Sequence, residues 1–120
     1  MSSFPSDASG WGPFEGGATL GQTGSEGGVV VRDEEHPEGA RITLERGGPT
    51  APLAVTCGVY GWMVHTRWFG GDAEADGEYA RMRPELESLA RSVHRGDDPE
   101  AERRRAELSA RIVAFLERFP

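Results

Sequence analysis

The hydrophobic periodicity of this chain changes once, near residue 70, and that change restricts the fold more than any other feature. Before it, "VVVRDEE" from Val29 and "ARITLER" from Ala40 are β-branched runs that flank the turn "HPEG". In the second run Ala40, Ile42 and Leu44 alternate with Arg41, Thr43 and Glu45, which is the period of two of a half-buried strand. After it, Ala75, Tyr79, Met82, Leu86, Leu89, Ala90 and Val93 recur at helical steps of three and four. Leu108, Ile112, Phe115, Leu116 and Phe119 make a second such stripe. Strands first and helices last, in a chain of 120 residues with room for one core, predict an α+β domain. The expected architecture is an antiparallel sheet of three to four strands (about 29–69), packed on one face by a C-terminal pair of helices (about 73–119).

Glycine and proline punctuate this plan. Residues 1–28 hold eight glycines and read as an N-terminal arm, partly flexible, ahead of a single domain over 29–120. Residues 1–9 are expected to be mobile and Trp11 and Phe14 to be anchored, with Ala18–Leu20 as a short edge strand. After the loop "GGPTAP", Leu53–Phe69 reads as one long strand bulged or bent at Gly58 or Gly61, because "VY" suits a primed hairpin turn poorly. Pro84 inside the first helical stripe predicts a kink or a restart. Gly96 should close that helix, with Asp98 capping the next and Pro99 at its first position.

Composition excludes several chemistries. The net charge of −7 opposes a nucleic-acid backbone, and the one basic run, Arg103–Arg105, is flanked by acids. All 13 basic residues are arginine, so a P-loop lysine and Schiff-base catalysis are both absent. Arginine without lysine also suggests a GC-rich bacterial source. No apolar run is long enough for a membrane helix, and the N-terminus lacks the basic and apolar regions of a signal peptide. With the single cysteine, Cys57, expected as a buried thiol, these features predict a cytoplasmic protein.

Chemistry-bearing residues concentrate in "CGVYGWMVHTRWFGG", Cys57 to Gly71. Read as a continuous strand, it turns Trp62, Val64, Thr66 and Trp68 towards the helices and Met63, His65 and Arg67 away from them. The outward set then shares a face with Arg32, Glu34, Arg41, Thr43 and Glu45. There His65, Arg67, Arg41 and Arg32 form a candidate site for a carboxylate or phosphate, which guanidinium groups bind bidentately. The competing reading is a solvated face laced with cross-strand ion pairs, and one bulge would exchange the two faces. Cys57 and His65, eight residues apart, lie roughly 26 Å apart on a continuous strand at ~3.3 Å per residue. Only a chain reversal near Gly61 would set them opposite each other as a thiol–imidazole pair.

No metal or cofactor is expected. His36, His65 and His94 stand singly, the acids of "RDEEHPE" miss the spacing of an EF-hand, and the N-terminal glycines miss GxGxxG. No catalytic set stands out. The reading is a small acidic cytosolic domain, a protein-interaction or regulatory module rather than an enzyme. A protein partner or a second copy would bind through a sheet edge, the polar sheet face or the aromatic arm. The alternative is a binder of a small anionic ligand, or a weak enzyme, using the His65/Arg67 face.

Overall fold

A computed structural model describes residues 9–120. Five strands form one antiparallel sheet in chain order: β1 (Gly12–Pro13), β2 (Val29–His36), β3 (Ala40–Arg46), β4 (Leu53–Val59) and β5 (Met63–Phe69). Helices α1 (Asp72–Arg91) and α2 (Ala101–Arg118) follow. The α+β plan therefore holds, with five strands in place of three or four. The extra strands come from two places. One is β1, formed by Gly12–Pro13 and not by Ala18–Leu20, which lies in turns. The other is a reversal that divides Leu53–Phe69 into β4 and β5. Gly61, at φ +82°, occupies the third position of a four-residue turn closed by the Trp62 N–H donating to the Val59 carbonyl at 2.9 Å. A glycine at that position serves a type II turn, so the poor fit of "VY" to primed turns did not forbid a hairpin.

The core lies between the helices and one sheet face. Ala40, Ile42 and Leu44 of β3, with Leu53, Val55, Cys57 and Val59 of β4, pack against Ala75, Tyr79, Met82, Leu86 and Leu89 of α1. α1 runs through Pro84 without interruption. α2 starts at Ala101, later than expected, because Asp98 and Pro99 form a preceding turn in which the Asp98 carboxylate accepts from the Glu100 N–H at 3.0 Å. Leu108, Ile112, Phe115 and Phe119 are buried there, and Leu116 is partly buried.

Two register events decide which residues face the helices. In β2 the pairing jumps from Val30↔Glu45 to Arg32↔Leu44, leaving Val31 as a bulge. Beyond the bulge Arg32, Glu34 and His36 take the helix face, while Asp33 and Glu35 take the opposite one. In β5 the hairpin register Val59↔Met63, Cys57↔His65, Val55↔Arg67 and Leu53↔Phe69 places His65 and Arg67 on the helix face. Val64, Thr66 and Trp68 face away, so the sequence expectation is reversed for both strands. A one-residue shift suffices, because side chains alternate with a period of two.

Of the N-terminal segment, residues 9–28 lie against the sheet; the expected mobility of residues 1–9 falls outside the described residues except at Ser9, whose carbonyl is held by His36. Trp11 is buried, edge-on to His36 with ring centroids 5.4 Å apart. His36 Nδ1 accepts from the Glu38 N–H at 3.1 Å, which leaves Nε2 to donate to the Ser9 carbonyl at 3.0 Å. No helix among the described residues is long and apolar enough to cross a membrane.

Candidate functional site

The sheet face opposite the helices is not flat. Its central row runs Asp33, Thr43, Thr56, Thr66 across β2 to β5. Asp33 is only 3% exposed, yet it is fully satisfied. It accepts Arg41 Nε at 3.0 Å and Nη2 at 2.7 Å, Thr43 Oγ1 at 2.9 Å and Thr19 Oγ1 at 2.7 Å. The Asp33 hydrogen bonds hold the Arg41 guanidinium above its ordinary pKa, and its other face stacks on Phe14 at 3.6 Å. A buried charge retained with this many partners is the arrangement that offsets desolvation. It fastens the N-terminal segment over the sheet through Phe14 and Thr19.

A second buried acid fixes the neighbouring loop. Glu45 accepts from the Gly28 N–H at 3.0 Å and the Glu26 N–H at 3.1 Å. Gly24 sits so close that an added Cβ would come within 2.3 Å of the Glu45 carboxyl carbon. The loop over residues 19–25 is thereby held as one wall above the sheet. The β4–β5 turn, Tyr60 to Val64, forms the other.

Between the walls lies a cavity of about 590 Å³. Val30, Thr43, Thr56 and Gly58 form its floor, and Arg41 closes one end. Gly58 leaves the floor open where any other strand residue would project a side chain. Along the rim Tyr60 is 52% exposed and Val64 80% exposed, with Trp68 further along β5 at 42%. Desolvation, with Glu35 nearby, pushes the Tyr60 hydroxyl above its ordinary pKa, so it stays a neutral donor and acceptor. The volume falls in the range of ligand sites, and its polar side chains are hydroxyls, the Gln22 amide, the Trp62 indole and one already paired guanidinium.

The four residues singled out from the sequence are separated. His65 and Arg67 stand together, but under the C-terminal turn: His65 Nε2 lies 2.6 Å from the Phe119 carbonyl, and Arg67 Nε donates to the Pro120 carbonyl at 3.1 Å. Arg67 Nη1 donates to Glu78 at 2.8 Å, and the hydrogen bond holds the Glu78 carboxyl below its usual range. Arg32 shares the helix face but sits on β2, three strand spacings from β5, with its guanidinium 4.2 Å over the Tyr79 ring. Arg41 is on the far face, beside the cavity. No common anion site joins the four.

Cys57 and His65 are direct cross-strand partners, as a reversal near Gly61 requires. Burial pushes the Cys57 thiol up to about 12, opposed by Arg67, so it is not a nucleophile near neutrality. Among the described residues no group of three or more His, Cys, Asp or Glu could hold a metal ion. Thr56, Tyr60 and the loop 19–25 were not singled out as a site from the sequence; Thr43 entered only as part of the outward face, and Gly58 only as a possible bulge or bend. Their one local signal was the pair of glycines 58 and 61, which marked an irregularity without fixing its kind. No protein-family model, no curated protein and no solved structure matches this chain.

Proposed function

We propose that this chain is an interaction module that takes an apolar side chain of a partner protein into the cavity on its open sheet face. The observation that carries the reading is the cavity itself, floored by Thr43, Thr56 and Gly58, with Tyr60 and Val64 exposed at its rim. Exposed apolar groups beside a concave, mostly apolar pocket are the usual anchor of a protein contact, and hydroxyls at the base orient whatever enters. Arg67 and His65 support the same reading indirectly, since both are engaged in holding the C-terminal turn. The arginine-only basic set and the buried lone cysteine fit a module working in a bacterial cytoplasm.

The test is selection of displayed peptides on the immobilised protein. Peptides with an apolar or aromatic anchor should be enriched, and their binding should be lost in Thr56→Phe, which fills the cavity floor. Tyr60→Ala should weaken it, and Val113→Ala, on the exposed side of α2, should not. Failure of enrichment, or equal binding to a correctly folded Thr56→Phe protein, would overturn the reading. A second reading, a small apolar ligand in the same cavity, is favoured by its volume. Under that reading, small aromatic molecules would bind the parent and not Thr56→Phe, with no peptide enriched.

A further inference from the structure

We propose that the outer edge of β5 pairs antiparallel with β5 of a second copy of this chain, in a register centred on Thr66. The two edges of the sheet are finished differently. β1 has two residues, one of them Pro13 without an N–H, and the adjoining β2 is bulged at Val31. β5 has seven residues in unbroken register with β4, and nothing among the described residues pairs with its outer side. In an antiparallel ladder alternate residues turn their N–H and C=O groups away from the neighbour. β5 therefore presents a regular row of free donors and acceptors.

Proteins usually guard such an edge with lysine, proline, a bulge or a charge pointing into the approach. On its open face β5 carries Val64, Thr66 and Trp68, and none of these is a guard. Its one permanently charged side chain, Arg67, points to the helix side, where Glu78 neutralises it at 2.8 Å.

The residue order of β5 makes a second copy the best occupant. With Thr66 on the two-fold axis, Val64 of each chain lies opposite Trp68 of the partner subunit; Val64 is 80% exposed and Trp68 42%. Aromatic against β-branched residues is a favourable cross-strand pair, and it occurs twice by symmetry. The chain carries a net charge of −7, which opposes self-association elsewhere, but the open face of β5 adds no charge to that repulsion. Seven residues at ~3.4 Å span roughly 24 Å of edge, short of an obligate interface. The dimer is therefore concentration-dependent, and added salt strengthens it by screening the net charge. Thr66 and Trp68 do not line the cavity, whereas Val64 stands both at its rim and in the dimer pair, so variants at Trp68 and Thr66 test the pairing apart from the cavity.

Sedimentation of the full chain from micromolar to millimolar concentration should show a reversible monomer–dimer equilibrium that shifts to dimer with salt. Trp68→Lys should be monomeric throughout, with a thermal melt like that of the parent and with cavity-dependent peptide binding retained. Because one lysine could act through folding, Thr66→Cys supplies a second test: it should form a disulfide-linked dimer under mild oxidation, whereas Val113→Cys should not. Native Cys57 does not confuse this result, being buried. A parent that stays monomeric over the whole range, or a dimer unaffected by Trp68→Lys, overturns the proposal. Cross-linking of Val113→Cys as fast as of Thr66→Cys does the same.

Discussion

Cys57 and His65 face each other across the β4–β5 ladder, on the side of the sheet that the helices cover. The pair looks like a nucleophile and its base, but its surroundings make it structural. The thiol is desolvated, and the imidazole is engaged by the Phe119 carbonyl.

The first prediction follows from that thiol. Its pKa rises from 9.0 in the open chain to about 12 in the fold, so between those values the folded state holds a proton that the unfolded state releases. Stability therefore falls as pH rises through this window, by up to about 1.4 kcal/mol per pH unit from this group. Urea denaturation across the alkaline range should show the fall, and Cys57→Val should make it shallower. Rapid alkylation of Cys57 in the native protein at neutral pH would show the burial to be wrong.

Arg67→Ala should cost about 2–4 kcal/mol, because it removes the more buried of the two arginines that pair with Glu78, leaving only Arg81, and frees the C-terminal turn. Trp68→Ala, on the open face, should stay within about 1 kcal/mol. Thermal unfolding of the two variants decides the matter. The opposite order of effects would mean that the faces of β5 are exchanged.

Removing either half of the Asp33–Arg41 pair should not be equivalent. Arg41 is 36% exposed and can recover water, whereas Asp33 cannot. Arg41→Ala should therefore cost about 3–5 kcal/mol and Asp33→Asn less, on the order of 2 kcal/mol. Hydrogen exchange should show residues 14–20 opening in both. Equal and small losses would argue against a buried carboxylate.

Gly61→Ala should cost about 1–2 kcal/mol through backbone strain alone, since open space surrounds the position at φ +82°. Gly70→Ala, equally open but without a positive φ, should be neutral or slightly stabilising. Denaturation midpoints of the two variants separate strain from packing. A neutral Gly61→Ala would place the reversal elsewhere.

By itself the sequence determined the class of fold and most of the core. Ile42 and Leu44 repeat at two, and Tyr79, Met82, Leu86 and Leu89 at three and four, and burying those stripes against each other leaves few arrangements. The N-terminal tryptophan was also legible, because an isolated indole among glycines is too costly to leave in water. Only the tertiary structure decided which face of β2 and β5 meets the helices. A period-two pattern is unchanged in form by a one-residue shift, and β5 carries bulky groups on both faces, so its composition favoured neither. The bulge at Val31 and the turn at Gly61 supply those shifts, and each is fixed by the register of a strand with its neighbour, not by the pattern within one strand. The cavity was hidden for the same reason: its floor joins Val30, Thr43, Thr56 and Gly58 from three strands, its walls come from residues 19–25 and 60–64, and no local pattern links them.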